Sequence, residues 1–356
     1  MIVYRMSDTI GNTPLLCLLK RTDGVRLLVK LEQANPLGTA KVRMARSMID
    51  AAERAGLLRE GGHIVESTSG NTGLGLAMIA AERGYQFTAV VDGHSARDKV
   101  DTMRALGATI VTVTTDGNNH LATDLRDKRA QEICAADPTA FWTAQHDNPA
   151  NADGYTELAS ELVADLGTDI NMLVGAVGTG GSLCGTARAL RNQGVTPRIV
   201  GVEPRGSVIF GGPASSYLQS GTGTPHGAAI GAVVDYALLH SHRKVSDAEA
   251  FAAARWLTRR FAVHFGGSAG AVLYTAALLS ERAPANSTIV ALACDGGERY
   301  LKTVYNDAWM SEHGLSEPRI ATELTRAFEP TRFDTPRTTP TVRSGALSRR
   351  GCDAER

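Results

Sequence analysis

A single lysine stands behind a run of small and turn-forming residues in the stretch NPLGTAKVRMA, residues 35–45. A helical pattern begins at Lys41, and the positive end of a helix disfavours a charged amine. A confined lysine with a lowered pKa suits Schiff-base chemistry with a carbonyl compound. The same lysine on an open helix surface would be only a solvated charge. The cleared space around Lys41 therefore favours a reactive amine.

Three further stretches place small and hydroxyl residues between a strand and a helix, where ligands of doubly wound folds bind. ESTSGNTGLGLAMIAA offers hydroxyls and N–H groups that suit a carboxylate, although N-capping would explain one such residue. GAVGTGGSLCGTARAL has glycines suited to a phosphate nest but lacks the dinucleotide fingerprint. FGGSAGAVLYTAA would point the Ser268 hydroxyl into the same region. Together with the lysine, these sites indicate pyridoxal phosphate carrying an amino acid.

The elements that must position these residues alternate between strand-like and helix-like segments from about residue 26 to residue 305. Short apolar runs predict strands, and the segments between them have helical periodicity. Such alternation predicts parallel βαβ units and an α/β fold. The predicted strands are VRLLVKLE, HIVES, FTAVVD, TIVTV, MLVGAV, RIVGVE and TIVALACD.

Composition and charge argue against several other classes of protein. The 356 residues include 37 basic and 37 acidic ones, so the charge favours neither nucleic acid nor anionic membrane as a partner. No apolar run reaches the length of a membrane span, and no secretory signal is recognised. The five cysteines are scattered without metal or redox spacing, which predicts reduced thiols in a cytoplasmic protein without a metal site.

The composition changes after residue 312, where Pro, Thr, Ser and Arg become frequent and apolar residues scarce. This change predicts a disordered tail over residues 313–356. Residues 1–312 would then form the catalytic region that binds pyridoxal phosphate.

Several motifs, in their usual order, resemble the cysteine synthase and cystathionine β-synthase family, whose members are fold type II enzymes that use pyridoxal phosphate. The resemblance covers about residues 9–310. It implies a tryptophan synthase β-like fold of two α/β lobes, with mostly parallel twisted sheets and the cofactor in the cleft between them. The smaller lobe would span about residues 42–150, the larger one residues 1–41 and 151–312. The matching motifs are IGNTPL, NPLGTAKVR, ESTSGNTGLGLA, RALGATIV, VGTGGS, GVEPRGS, GGSAGA and DGGERYL.

The same resemblance implies roles for individual residues. Lys41 matches the lysine that forms the internal aldimine and later moves the α-proton. Asn71 matches the residue that hydrogen-bonds the cofactor's ring hydroxyl, and Ser268 the hydroxyl that faces the pyridine nitrogen. The implied phosphate cradle is Gly178, Thr179, Gly180, Gly181 and Ser182, and the implied substrate-carboxylate site is Thr68, Ser69, Gly70, Thr72 and Gln145.

The implied reaction is β-replacement on an activated L-serine, either O-acetylserine or O-phosphoserine, through an aminoacrylate intermediate, in a homodimer. A sulfur nucleophile, as in cysteine synthase, is one possibility. An amino nucleophile such as L-glutamate, giving a 2,3-diaminopropionate precursor, is another, because GSVIFGG and DGGERYLKTVYNDAWM look most similar to that siderophore-pathway branch. β-Elimination by a desulfhydrase or dehydratase and a non-catalytic regulator that binds the cofactor also stay open.

Two departures from the family pattern bear on the substrate. Val42 stands where the family commonly has an acid, so that acid's ion pairing is lost. The stretch SGTGTPHGAA replaces a Gly-Ile-Gly stretch near the region that faces the leaving group or second substrate. Arg97 and Arg205 could serve a phosphorylated substrate, although arginines are common on surfaces.

Overall fold

Two α/β lobes, each built around one sheet, make up the chain in the computed structural model, which describes residues 2–68, 70–93, 95–114 and 122–329. This arrangement confirms the predicted α/β class and the two-lobe architecture. No helix within those ranges has the length and the apolar character needed to cross a bilayer.

The larger sheet contains six strands within the described residues. In spatial order they are β1 (Leu15–Lys20), β2 (Arg26–Leu31), β10 (Thr288–Ala293), β7 (Met172–Ala176), β8 (Arg198–Pro204) and β9 (Ser241–Val245). β1 pairs antiparallel with β2, because a short turn joins the two strands directly, and the other neighbours pair in parallel.

The smaller sheet has four parallel strands in the described part of the chain. In spatial order they are β5 (Thr109–Val113), β4 (Gln86–Asp92), β3 (His63–Ser67) and β6 (Ala140–Trp142). The sequence predicts β3, β4 and β5, whereas it misses β1, β6 and β9. The three missed strands all lie at sheet edges, where β6 is only three residues long and β9 consists mostly of polar residues.

Helices connect the strands and cover the sheets. They are α1 (Lys41–Arg54), α2 (Asn71–Arg83), α3 (Arg97–Ala105), α4 (Ala122–Ala136), α5 (Pro149–Asp153), α6 (Thr156–Leu166), α7 (Gly181–Asn192), α8 (Asp247–Phe261), α9 (Gly267–Ser280), α10 (Asp307–Glu312) and α11 (Pro318–Phe328). The amino-terminal ends of α2, α7 and α9 follow the small-residue stretches that the sequence singles out, and α1 begins at Lys41 itself.

Helix α1 is anchored by one apolar and one ionic contact beside Lys41. Val42 is fully buried in the apolar core, where an acid would be costly. Arg43 is fully buried too, and its guanidinium bonds Glu32 at 2.7 Å and Glu161 at 2.9 Å. The ion pairing of this turn is therefore carried by Arg43, although the family's usual acid is absent.

The expected disordered tail requires a correction, since its first part is folded. Pro318–Phe328 forms α11, which packs on α8 and α9. Its apolar side chains recur three or four positions apart, which lets the helix bury one face. Few other apolar residues lie in this segment, so its overall composition does not indicate a folded element. The buried ones are Ile320, Leu324, Ala327 and Phe328. Residues 330–356, the rest of that predicted tail, lie outside the described residues.

Candidate active site

A cavity at the amino-terminal ends of α1, α7 and α9 brings most of the predicted cofactor residues together. Lys41, Ser268 and four residues of the predicted phosphate cradle line it. The full lining consists of Ala40, Lys41, Tyr155, Ala176, Gly178, Thr179, Gly180, Ser182, Gly221, Ser268 and Cys294. Gly181, the remaining cradle residue, lies just behind this wall as the first residue of α7.

The approach to Lys41 keeps its amine in a confined position. The Ala40 amide donates to the Cys294 carbonyl at 2.8 Å, which ties the start of α1 to the end of β10. Burial lowers the pKa of Lys41, opposed by the neighbouring Cys294 and Asp295. A lysine amine of lowered pKa loses its proton more easily, as Schiff-base chemistry and proton transfer both require.

Two glycines of the phosphate cradle, Gly180 and Gly181, have no room for a Cβ atom. Gly180 has a φ of +87°, and a Cβ there would lie 2.8 Å from the Cα of Val234. A Cβ on Gly181 would lie 1.9 Å from Oδ1 of Asn151. The amides at the start of α7 can thus approach a ligand closely, and the helix end favours an anion.

The residues present fit pyridoxal phosphate in number and chemistry. One cavity combines an amine of lowered pKa, a glycine nest at a helix end, and the buried Ser268 at the start of α9. These match the aldehyde, the phosphate and the ring of the cofactor, respectively. Among the residues described here, no cluster of His, Cys, Asp or Glu could hold a metal ion.

The predicted carboxylate site forms a loop in front of α2. The Thr68 hydroxyl accepts hydrogen bonds from the amides of Gly70 at 3.3 Å and Gly73 at 3.1 Å. Thr72 donates to the Oε1 atom of Gln145 at 2.7 Å, so the two lie side by side as expected. Ser69, the other residue predicted here, lies outside the described residues.

Glu66 and Asn151, neither of them predicted from the sequence, hold Gln145 in place. The Gln145 side chain donates to Oε1 of Glu66 at 3.3 Å and to the Ser67 carbonyl at 3.1 Å. Burial raises the pKa of Glu66 to about 8, which leaves its carboxyl largely neutral at pH 7. A charged residue type within the apolar strand HIVES is the signal that could have revealed Glu66.

Asn151 connects the carboxylate site to the phosphate cradle. Its Nδ2 atom donates to the Gln145 carbonyl at 2.7 Å and to the Thr179 hydroxyl at 3.0 Å. The Thr179 hydroxyl also accepts from the amide of Gly181 at 3.3 Å. Asn151 is the last residue of the motif WTAQHDNPAN, six residues after Gln145. The motif alone does not indicate which of its polar side chains is buried.

Asn71, predicted to contact the cofactor's ring hydroxyl, is held at the edge of the cavity by Asp295. Its Nδ2 atom donates to Oδ2 of Asp295 at 3.0 Å, and the Tyr300 hydroxyl donates to the same oxygen at 2.6 Å. Asp295 follows the cavity residue Cys294, so Asn71 lies close to the lining without belonging to it. Asp295 and Tyr300 both come from the motif DGGERYL.

The stretch SGTGTPHGAA borders the cavity, as expected. Gly221 lines it, and the Thr222 hydroxyl donates to the Val177 carbonyl at 2.9 Å, beside the phosphate cradle. Arg97 and Arg205 are not brought to the cavity lining. The Arg97 side chain is 96% exposed, and that of Arg205 is 68% exposed.

Comparison with known proteins gives a consistent result over most of the chain. Residues 6–295 match the family model described as "Pyridoxal-phosphate dependent enzyme". A Sinorhizobium fredii protein, provisionally named a cysteine synthase, is 43% identical over 325 residues, which cover 91% of this chain and 97% of that protein. The N-(2-amino-2-carboxyethyl)-L-glutamate synthase of Ralstonia nicotianae is 35% identical over 320 residues, which cover 89% of this chain and 94% of that protein. Among solved structures, that of O-ureido-L-serine synthase matches with a TM-score of 0.79 and 32% sequence identity. The match covers 87% of this chain and 100% of that one.

Proposed function

As a member of the pyridoxal-phosphate dependent enzyme family, the chain is a β-replacement enzyme of the cysteine synthase kind, and we propose that it acts on an activated L-serine. O-Acetyl-L-serine and O-phospho-L-serine are the two candidate donors. The observation that carries this proposal is the cavity lined by Lys41 and the glycine cradle, to which Asn151 joins the Thr72–Gln145 pair.

Pyridoxal phosphate, when bound, supplies an aldehyde for the substrate amine and a ring that withdraws electrons from Cα. In our assignment, residues 178–182 bind its phosphate, and Asn71 and Ser268 orient its ring. The neutral Ser268 hydroxyl does not hold a proton on the ring nitrogen as a carboxylate would. This favours rapid loss of the leaving group over a long-lived carbanion.

Lys41 is the proton-transfer group in the proposed reaction. Its neutral amine takes the proton from Cα of the substrate, and the Cβ–O bond breaks so that acetate or phosphate leaves with the electron pair. The incoming nucleophile then forms a bond to Cβ, and the proton returns from the Lys41 ammonium to Cα. The carboxylate loop and Gln145 hold the substrate while these bonds change.

A sulfur nucleophile such as sulfide is the first candidate for the second substrate. An amino nucleophile such as L-glutamate is the second, and one specific observation favours it. The chain is 35% identical to an N-(2-amino-2-carboxyethyl)-L-glutamate synthase along 94% of that protein. Product analysis with both nucleophiles present together decides between them.

We also propose that the enzyme is a homodimer in a reducing compartment such as the cytoplasm. Dimerisation is carried over from the family resemblance. The four cysteines of the described residues are all free thiols, which is compatible with such a compartment. Light scattering of the purified protein should give twice the chain mass, and a monomer would contradict this assembly.

Replacing Lys41 tests the proposed chemistry directly. We expect Lys41→Ala to abolish turnover of both donors and to change the visible absorption of the protein loaded with cofactor. Lys128→Ala, on the exposed face of α4, is the matched control and should retain both properties. An active Lys41→Ala variant with an unchanged spectrum would overturn the assignment.

A further inference from the structure

Lys99 is a second buried lysine beside the proposed substrate site, and the chemistry assigned above does not use it. It lies in the first turn of α3, with 1% of its surface exposed. Its Nζ atom lies 3.4 Å from the Ser220 hydroxyl and 5.5 Å from the centre of the Tyr300 ring. A Cβ built on Gly70 would lie 3.4 Å from this Nζ atom. The ammonium therefore packs directly against the carboxylate loop.

Lys99 differs from the other fully buried cations in the described residues because it has no ion pair. The ammonium of Lys30 lies 2.7 Å from Glu161, and the guanidinium of Arg43 lies 2.7 Å from Glu32. Removing an ammonium from water without a counter-charge costs several kcal/mol, so buried lysines are nearly always paired. Lys99 is thus a buried cation without a paired counter-charge among the described residues.

Among the described residues no ion pair joins Lys99 to Asp295, whose Oδ1 atom is buried without a hydrogen-bond partner. Asp295 attracts the Lys99 ammonium through space, as does Asp98, while burial and the nearby Arg299 lower the pKa of Lys99. The Oδ2 atom of Asp295 already accepts hydrogen bonds from Asn71 and Tyr300. Nor does any carboxylate pair with Arg299 among the described residues. Two neighbouring cations thus lack a paired carboxylate among the described residues, and an anion would compensate them.

The carboxylate loop itself supplies no charge to bind such an anion. Its described residues, Thr68, Gly70 and Thr72, are neutral, and so is Gln145. Amides and hydroxyls can orient a carboxylate, but a nearby ammonium strengthens its binding severalfold, because opposite charges attract more strongly in a buried site and charge-assisted hydrogen bonds are stronger than neutral ones. Lys99 is the fully buried cation that contacts this loop.

We infer that Lys99 supplies the positive charge for the α-carboxylate of the amino-acid substrate at the loop formed by Thr68, Gly70 and Thr72. The inference rests on the proposed function, since it takes the loop to be the carboxylate site. It makes Lys99 a substrate-binding residue that stays buried and uncompensated until the substrate arrives. We therefore expect Lys99 to lower the stability of the protein without substrate and to raise its affinity for the substrate.

The first part of the test measures stability without substrate. Lys99→Met keeps the apolar stem and removes the unpaired charge, so the melting temperature of the cofactor-loaded protein should rise or stay unchanged. Lys30→Met, which leaves Glu161 without its lysine, is the matched control and should lower it by about 5 °C or more. If Lys99→Met lowers it as much as Lys30→Met does, Lys99 is a structural residue and the inference is wrong.

The second part measures affinity by calorimetry with the loaded protein. The probes are O-methyl-L-serine, which has a poor leaving group, and its carboxamide, which lacks the carboxylate. We expect Lys99→Met to weaken binding of the acid at least tenfold and Lys99→Arg less than threefold. Arg97→Gln removes an exposed charge from the same helix and should change nothing. With the carboxamide, the parent and Lys99→Met should bind equally.

Three results of the affinity measurement would overturn the inference. One is unchanged affinity of Lys99→Met for the acid, and another is an equal loss of affinity for the carboxamide. The third is a much larger loss for O-phospho-L-serine than for O-methyl-L-serine, which would place Lys99 at the phosphate on Cβ. Failure of the proposed function is recognised separately, because the parent would then bind these probes without turning over either activated donor.

Discussion

At the scale of single residues, each proposed functional group depends on a neighbour that sets its protonation or its orientation. Burial keeps the Lys41 amine easily deprotonated, and Cys294 and Asp295 oppose that effect. Gln145 is oriented by Glu66, whose buried carboxyl retains its own proton at neutral pH. Both effects can be tested by removing the neighbour alone.

Glu66 should make the folding stability depend on pH. Its pKa of about 8 in the folded protein lies above the ordinary 4.5, so the folded state holds a proton that the unfolded state has lost between these values. The stability from this group is present below pH 4.5 and is lost as the pH rises through 8. Each pH unit in that window should cost up to about 1.4 kcal/mol.

Urea unfolding of the parent and of Glu66→Gln between about pH 5.5 and about pH 8 measures this effect, because that range lies between the two pKa values. The free energy of unfolding should fall more steeply with pH in the parent, because the glutamine carries no proton to lose. Glu60→Gln, at an exposed position, should follow the parent. Parallel curves for the parent and Glu66→Gln would contradict the assignment.

Gly180 should be indispensable to the phosphate cradle. Gly180→Ala forces a side chain into a left-handed conformation and into contact with the Val234 backbone. We expect the affinity for pyridoxal phosphate to fall at least about tenfold, since the cradle must move. Gly194→Ala, at a φ of +78° with open space around it, isolates the backbone strain. Equal cofactor affinities in the two variants would show that the close contact does not matter.

Residue types and spacing predicted Lys41 and the glycine cradle as functional, and the family resemblance added Gln145, because these residues lie in continuous motifs beside strand ends. They were not sufficient for Glu66 or Lys99. The importance of these two depends on which segments meet across the cleft, and that is set by strand pairing and helix packing far apart in sequence. Buried charges of this kind become recognisable only when their partners are known.

At the scale of elements, the start of α1 is fixed by the buried pair of Arg43 and Glu32. The helix that presents Lys41 is joined through this pair to the end of β2. Glu32→Gln leaves the guanidinium without a full counter-charge and should lower the free energy of unfolding by about 3 kcal/mol. Glu157→Gln breaks the more exposed pair with Arg46 on the same helix and should cost less than about 1 kcal/mol. Chemical denaturation compares the two, and equal losses would argue against this anchor.

Helix α11 shows why the prediction of disorder was wrong over Pro318–Phe328. Four apolar side chains at helical spacing dock on α8 and α9, but the surrounding Thr, Arg and Pro give the composition of an unfolded segment. Leu324→Ala should cost about 2–4 kcal/mol in urea unfolding because it empties a buried contact. The exposed Thr325→Ala should change the free energy little. A negligible effect of Leu324→Ala would mean that α11 does not pack there in solution.

At the scale of the whole molecule, the site draws on both lobes. Thr72, Lys99 and Gln145 come from the segment that builds the smaller sheet, whereas the glycine cradle, Ser268 and Asp295 come from segments around the larger one. The hydrogen bond between Asn71 and Asp295 crosses from one to the other. The alternating pattern of strands and helices predicted parallel sheets, since these need helical crossovers, and the family resemblance implied two lobes. It could not predict which side chains meet between them.

The most direct measurement follows Cβ of the donor. The full-length protein is loaded with pyridoxal phosphate and given O-acetyl-L-serine or O-phospho-L-serine carrying ¹³C at Cβ, with sulfide and L-glutamate as competing nucleophiles. Carbon NMR of the products should show a new Cβ–S or Cβ–N bond, with neither formed by Lys41→Ala. Recovery of all the label as pyruvate would contradict β-replacement as the activity of this enzyme. Recovery of both donors unreacted would contradict it as well.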